Sequence, residues 1–299
     1  MNNFCRMKLP VFTLYRKMRH RKGHGVHSPL AYSLITKVIE EKCPYYIFEE
    51  IEKIRQSLIE DSTLVTYSGR SGKIKRNTVG EITLKESHHR RYGALLFRLV
   101  NFFKASSVLN VGSSSGVMSF YLASPHSNCR CVALEHRKEL LRVAEDKAKQ
   151  LGLENLHFCS GTSPDDIDKV LQRQSGGFDL IFIDTAYDPE LTGIIAGKCL
   201  QHFREDYVLI IDGINRNKSM QQLWKSLKLQ IKGGITLDLY ALGIIFASHK
   251  MYKKNYITYF NHGKKQNIHQ GRRWRLHFLS RGKKSFKNAF TFRSLRNRR

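Results

Sequence analysis

The sequence predicts an α/β fold: an open, mostly parallel sheet with helices on both faces, an antiparallel C-terminal hairpin and a helical N-terminal cap. Three observations predict it. From Ser107 onward, short apolar runs alternate with amphipathic stretches. The apolar runs lack the in-out alternation of half-buried strands, as expected of parallel strands covered on both faces. The last two runs are separated only by Ala241-Leu242-Gly243. That is too short for a helical crossover, so they pair as a hairpin.

The elements follow in order. Ser28 is a good N-cap and Pro29 suits a first helical position, so a helix is predicted from there to Lys42, where Cys43-Pro44 stops it. Ile47, Ile51, Ile54 and Leu58 share one face of a second helix. Residues Thr66 to Asn77 are rich in Gly, Ser, Lys and Arg and read as a mobile loop. Tyr92 to Phe103 returns to helical spacing. Strands are predicted at Val108–Val111, Arg130–Leu134, Leu156–Ser160, Leu180–Asp184 and Tyr207–Ile211, then the hairpin Thr236–Tyr240 with Ile244–Ser248. Helices between them cover Val117–Ala123, Arg137–Leu151, Asp165–Gln172, Pro189–Phe203 and Asn217–Leu229. The expected division is a basic N-terminal segment (1–23), a helical cap region (24–104), an α/β core (105–250) and a basic, flexible tail (251–299).

Of the 299 residues, 41% are hydrophobic, enough for a sizeable core and too many for general disorder. No apolar run approaches the ~20 residues of a membrane span. The first residues lack the apolar block of a secretory signal, so the expected location is the cytoplasm. The formal charge of +26 is unevenly placed. Residues 1–39 carry eight Lys/Arg and residues 249–299 sixteen, with no acid in either stretch. Such ends suit RNA or an anionic membrane surface, or serve only as solubilising tails. In the last stretch Trp274, Phe286, Phe290 and Phe292 interleave with cations, as in single-strand stacking platforms, amphipathic surface helices and disordered extensions alike. The six cysteines match no common zinc spacing, and Cys129 and Cys131 read as small buried hydrophobes of a protein in a reducing compartment.

The chemistry-bearing positions sit at strand ends. The first core strand runs into Gly112-Ser113-Ser114-Ser115-Gly116 and then a helix. Small residues let a ligand approach the backbone, and the helix start presents free N–H groups, although a tight turn also takes glycine for geometry alone. No Lys-Ser/Thr pair follows Gly116, so it is not a P-loop. Glu135 ends the second strand, where an acid in nucleotide-binding α/β folds accepts ribose hydroxyls. An acid is also favoured there merely as a helix-start charge. Gly161-Thr162 follows the third strand on the same rim; Asp184 ends the fourth and Asp212 the fifth. His24 and His27 read as part of a turn before the Ser28-capped helix, and His88-His89-Arg90-Arg91 as a solvated or anion-facing segment.

Over residues 20–250 this ordered set resembles the class I S-adenosylmethionine-dependent methyltransferases, a Rossmann-like superfamily. It is most similar to catechol-type O-methyltransferases and to bacterial relatives with a Gly23-to-Pro29-like segment. The resemblance implies that Gly112, Ser113 and Gly116 line the methionine part of S-adenosylmethionine, that Glu135 holds the ribose, that Gly161 and Thr162 lie near the adenine, and that Asp184 sits between cofactor and acceptor. Asp184, Tyr187 and Asp212 are the candidate catalytic residues.

The sequence also departs from the family pattern. Asn110 stands where an acid is usual, Thr185-Ala186-Tyr187-Asp188 replaces a basic or histidine residue after the fourth strand, and Gly213 replaces the residue that follows the second acid in metal-dependent members. Two carboxylates alone hold Mg²⁺ poorly, so no metal site is expected. The expected function is methyl transfer to a hydroxyl of a small molecule. The alternatives are an RNA methyltransferase anchored by its basic ends and a non-catalytic S-adenosylmethionine-binding or scaffold protein.

Overall fold

The computed structural model describes residues 14–16, 18–68, 72–174, 176–185, 188–201 and 203–261. Tyr187 and the part of the basic tail after Asn261 lie outside the described residues.

An eight-stranded sheet is formed by β3 (Ser107–Val111), β4 (Arg130–Glu135), β5 (Leu156–Ser160), β6 (Phe178–Ile183), β7 (Phe203–Asp212), β8 (Gly234–Asp238), β9 (Leu242–Ala247) and β10 (Lys254–Ile257). Its order is β10-β8-β9-β7-β6-β3-β4-β5. Only β9 runs against its neighbours, pairing antiparallel with β7 and β8. The hairpin expectation therefore holds, but the sheet does not stop there. Lys254–Ile257 adds a parallel strand beside β8, so the core extends past residue 250. Strand β10 is hard to read from the chain because Lys254 and Asn255 are polar residues exposed on the sheet edge.

Alternation along the strands sorts side chains into two cores. Val108, Ala133, Phe182 and Ile210 face one cluster with the cap residues Leu34, Ile51, Leu58, Leu95 and Leu99. Leu109, Leu134, Ile183 and Ile211 face the other, with Ile167, Ile195 and Trp224 from the helices that follow β5, β6 and β7.

The cap begins with α1 (Pro29–Leu34), capped by Ser28 as expected, and passes into a wider π-helical turn at Ile35–Ile39. Next comes α2 (Ile47–Glu60). The stretch expected as a loop instead forms a small antiparallel sheet, β1 (Leu64–Ser68) with β2 (Ile74–Thr78). Val65 is the single buried residue of the two strands, so no apolar alternation marks them. Then follow α3 (Val79–Glu86), opened by a Thr78/Glu81 capping box, and α4 (Arg90–Phe103), capped by His89. The core helices are α5 (Val117–Ala123), α6 (Lys138–Gln150), α7 (Pro164–Arg173), α8 (Pro189–Gln201) and α9 (Lys218–Gln230). The segment before α1 meets the far edge of the sheet. Buried Arg16 pairs with Asp238 at 2.9 Å, and His20 packs edge-on against Tyr256. Among the described residues, no helix is long and apolar enough to cross a membrane.

Candidate active site

The turn from β3 to α5 is a cradle that side chains would fill. Gly112 has φ +86°, and a Cβ there would lie 1.9 Å from the carbonyl oxygen of Asp184. Gly116, at φ +84°, begins α5 in the same left-handed region. Both glycines are therefore required by geometry. Between them Ser113 and Ser115 are buried, and neither hydroxyl has a hydrogen-bond partner. Buried hydroxyls of this kind are costly unless a ligand or an ordered water satisfies them. The cradle fits the polar methionine end of S-adenosylmethionine on that ground.

Glu135 ends β4 beside the cradle and is 1% exposed. Its Oε2 accepts from the Ser114 N–H at 2.9 Å and from Arg137 Nη2 at 3.0 Å. Its Oε1 accepts from the Arg137 N–H at 3.0 Å and Nε at 2.7 Å, and lies 3.0 Å from His136 Nδ1. Burial alone would raise the pKa of this carboxyl. Hydrogen bonds from His136 and Arg137 outweigh burial and bring it to about 2. Arg137 reaches on to the cap, donating to Glu86 at 2.9 and 2.7 Å, while its guanidinium lies over the Tyr67 ring. Glu86 also accepts from the Ser114 hydroxyl. A ribose on Glu135 must therefore take over donor positions now held by Arg137 or Ser114.

Asp184 directly follows β6 and Asp212 ends the neighbouring strand β7, at the rim the sequence suggested. The structure adds a third member. His88, expected in a solvated segment, is buried at 6% exposure. Its Nε2 lies 3.0 Å from Asp184 Oδ2 and 3.6 Å from Asp212 Oδ2. The ring stacks on Tyr92 with centroids 4.1 Å apart, and Tyr92 donates to Asp212 Oδ1 at 2.7 Å. Buried Arg55 holds the His88 carbonyl at 2.6 Å. His89 caps α4, and this places the preceding residue on the buried side beside Tyr92. Nothing in the spacing of the sequence marks His88, because its acidic partner Asp184 is 96 residues away. One imidazole and two carboxylates with ligand atoms within 4.8 Å of one another are also a donor set that accepts a divalent cation.

The other predicted positions are dispersed around this centre. Gly161 (φ +115°) and Thr162 are half-buried after β5, and the Gly161 N–H donates to the Glu135 carbonyl. Asn110, fully buried, ties β3 to α5 by donating to Ser119 at 2.8 Å. Gly213 turns the chain after Asp212 at φ +68°. His24 and His27 lie in the turn before α1 and are absent from the cluster.

A family model described as a methyltransferase domain matches residues 102–264. The chain belongs to that family. The match spans β3 to β10, so this methyltransferase domain includes the cradle, Glu135, Asp184 and Asp212 but not the cap residues Glu86 and His88. The O-methyltransferase from Bacillus cereus, solved in complex with SAH, is similar in structure at 16% identity and TM-score 0.51, over 72% of this chain and 97% of that one. Cofactor-bound Rv0187 from MTB is similar at 16% identity and TM-score 0.50, over 73% and 95%. At these identities the likeness is one of fold. No curated protein matches the chain.

Proposed function

We propose that this methyltransferase transfers a methyl group from S-adenosylmethionine to a hydroxyl of a small molecule. One observation carries the reading: the Asp184 carbonyl packs directly on Gly112, so the His88–Asp184–Asp212 cluster adjoins the cofactor cradle. The bound cofactor supplies an activated methyl on a sulfonium. The chain's residues do the rest. Ser113, Ser115 and the glycine-bounded backbone hold the methionine end, Glu135 the ribose, and Gly161 and Thr162 border the adenine. Asp184, the more exposed of the two acids, orients the acceptor hydroxyl. The proton released by the acceptor oxygen enters the contact between Asp184 Oδ2 and His88 Nε2, while Tyr92 and Asp212 fix the ring. Much of the rate comes from alignment, since in-line displacement needs acceptor and methyl held close.

Residues 24–104 act in this reading as a cap that completes the site. The reading places the protein in a reducing cytoplasm, with the basic tail as a contact for RNA or an anionic surface. Calorimetry with S-adenosylmethionine and S-adenosylhomocysteine tests the core claim, followed by a panel of hydroxylated acceptors with S-adenosylhomocysteine release as readout. Absence of binding by either cofactor form overturns it.

A further inference from the structure

A cavity of about 1040 Å³ lies between the cap, the start of α4 and the chain after β10. None of the cradle or acid-cluster residues lines it. Its charge is of the opposite sign. Lys22, Lys42, Arg90, Arg91 and Arg98 border it, against Glu40 and Glu41. Both glutamates are committed to backbone: Glu40 accepts from the Lys22 N–H, and Glu41 from the N–H groups of Lys42 and Cys43.

Two features of α4 have no account within the fold itself. Arg98 is 8% exposed, and its Nε donates to the Val38 carbonyl at 2.8 Å, yet among the described residues its guanidinium forms no ion pair. A largely buried cation with no acid at ion-pair distance is expensive. Burial pulls its pKa down, and Glu41 only partly opposes this. Arg90 and Arg91 occupy the first turn of α4, which holds no acid. There the helix dipole disfavours cations and favours anions. Ala94, between these positions on the same face, leaves the space open. Phe48, Tyr259 and Phe260 give the wall an aromatic side.

We infer that this cavity binds a phosphorylated small molecule, its phosphate set among Arg90, Arg91, Arg98 and Lys42 and its organic body against the aromatic wall. An anion there gives Arg98 a partner at ion-pair distance and lies in the positive field of the α4 start beside both first-turn arginines. The cavity is large enough for such a ligand and offers the mixed apolar and convergent polar lining that small-molecule sites use.

The test uses phenyl phosphate and pyrophosphate, measured by calorimetry against sulfate and phenol at fixed ionic strength. Phenyl phosphate should bind more tightly than sulfate and than phenol. In the Arg91→Ala/Lys42→Ala double variant its affinity should fall by ~10-fold or more, as expected for lost charge-assisted contacts. Both residues are exposed, so a matching urea midpoint establishes that the variant is folded. Arg98→Lys should keep part of the binding, and Arg98→Met should lose it. Phenyl phosphate affinity that equals sulfate, or that is unchanged in the folded double variant, overturns the inference. So does a variant effect confined to RNA or anionic vesicles. None of these readouts depends on S-adenosylmethionine binding, so this site and the methyltransferase reading stand or fall separately.

Discussion

Arg137 grips Glu86 of the cap with two nitrogens while the same guanidinium holds Glu135 of the core. The side chain of Glu135 is 2% exposed, and that of Arg137 is 6% exposed. Removing one partner of such a buried pair leaves the other charge stranded. Arg137→Met should therefore destabilise the protein by about 3–5 kcal/mol in urea unfolding at pH 7. Adding Glu135→Gln should restore a large part of that loss, because the stranded charge goes with it. Equal stability of wild type and Arg137→Met would show that the bridge is replaceable.

The same carboxyl makes stability depend on acidity. Its folded pKa of about 2 lies below the ordinary 4.5. Its contribution, about 3 kcal/mol, is fully present above pH 4.5 and fades as pH falls toward 2. Urea midpoints between pH 5 and 2.5 should fall more steeply for wild type than for Glu135→Gln. Parallel curves would remove the assignment.

Cofactor affinity should also report on Glu135. Glu135→Ala should weaken S-adenosylhomocysteine binding by ~10–100-fold in calorimetry, the cost of losing hydrogen bonds to a charged acceptor. Unchanged affinity in a folded variant would sink the ribose role.

Gly112→Ala should abolish measurable S-adenosylhomocysteine binding. The added methyl would meet the Asp184 carbonyl at 1.9 Å, in a backbone conformation that already penalises alanine. The cost should be about 3 kcal/mol or more, since neither backbone segment can give way cheaply. A stable, cofactor-binding variant would mean that the turn relaxes.

His88 separates two chemistries. Its Nε2 already sits at hydrogen-bond distance from Asp184. EDTA should therefore leave turnover unchanged, and His88→Gln should lower kcat by ~10²–10⁴. A loss on chelation that Mg²⁺ restores would instead place a cation among His88, Asp184 and Asp212.

The sheet was legible because doubly buried strands leave unmistakable runs: Leu109, Val111, Ile181 and Ile183 have no exposed face to dilute the signal. Helix starts at Pro29 and Val117 were legible through Ser28 and Gly116. What stayed hidden lay at edges or across long chain separations. Strand β1 and the edge strand β10 each bury a single residue, Val65 and Tyr256, so no alternation distinguishes them from loop. Asp184 and Asp212 announced themselves by ending strands. His88 and Glu86 did not, because only the folded topology brings them to Asp184 and to Arg137, 96 and 51 residues away.

The bond between Arg16 and Asp238 joins positions 222 residues apart. During synthesis at roughly 5–20 residues per second, the N-terminal segment would wait tens of seconds for its partner to leave the ribosome. Until then Arg16 lacks this partner, whereas Leu95 and Leu99 can already pack on Leu34, Ile51 and Leu58, which leave the ribosome before them. The segment around Arg16 and His20 is therefore among the last parts of the fold to lock, when Asp238 and Tyr256 emerge to meet it.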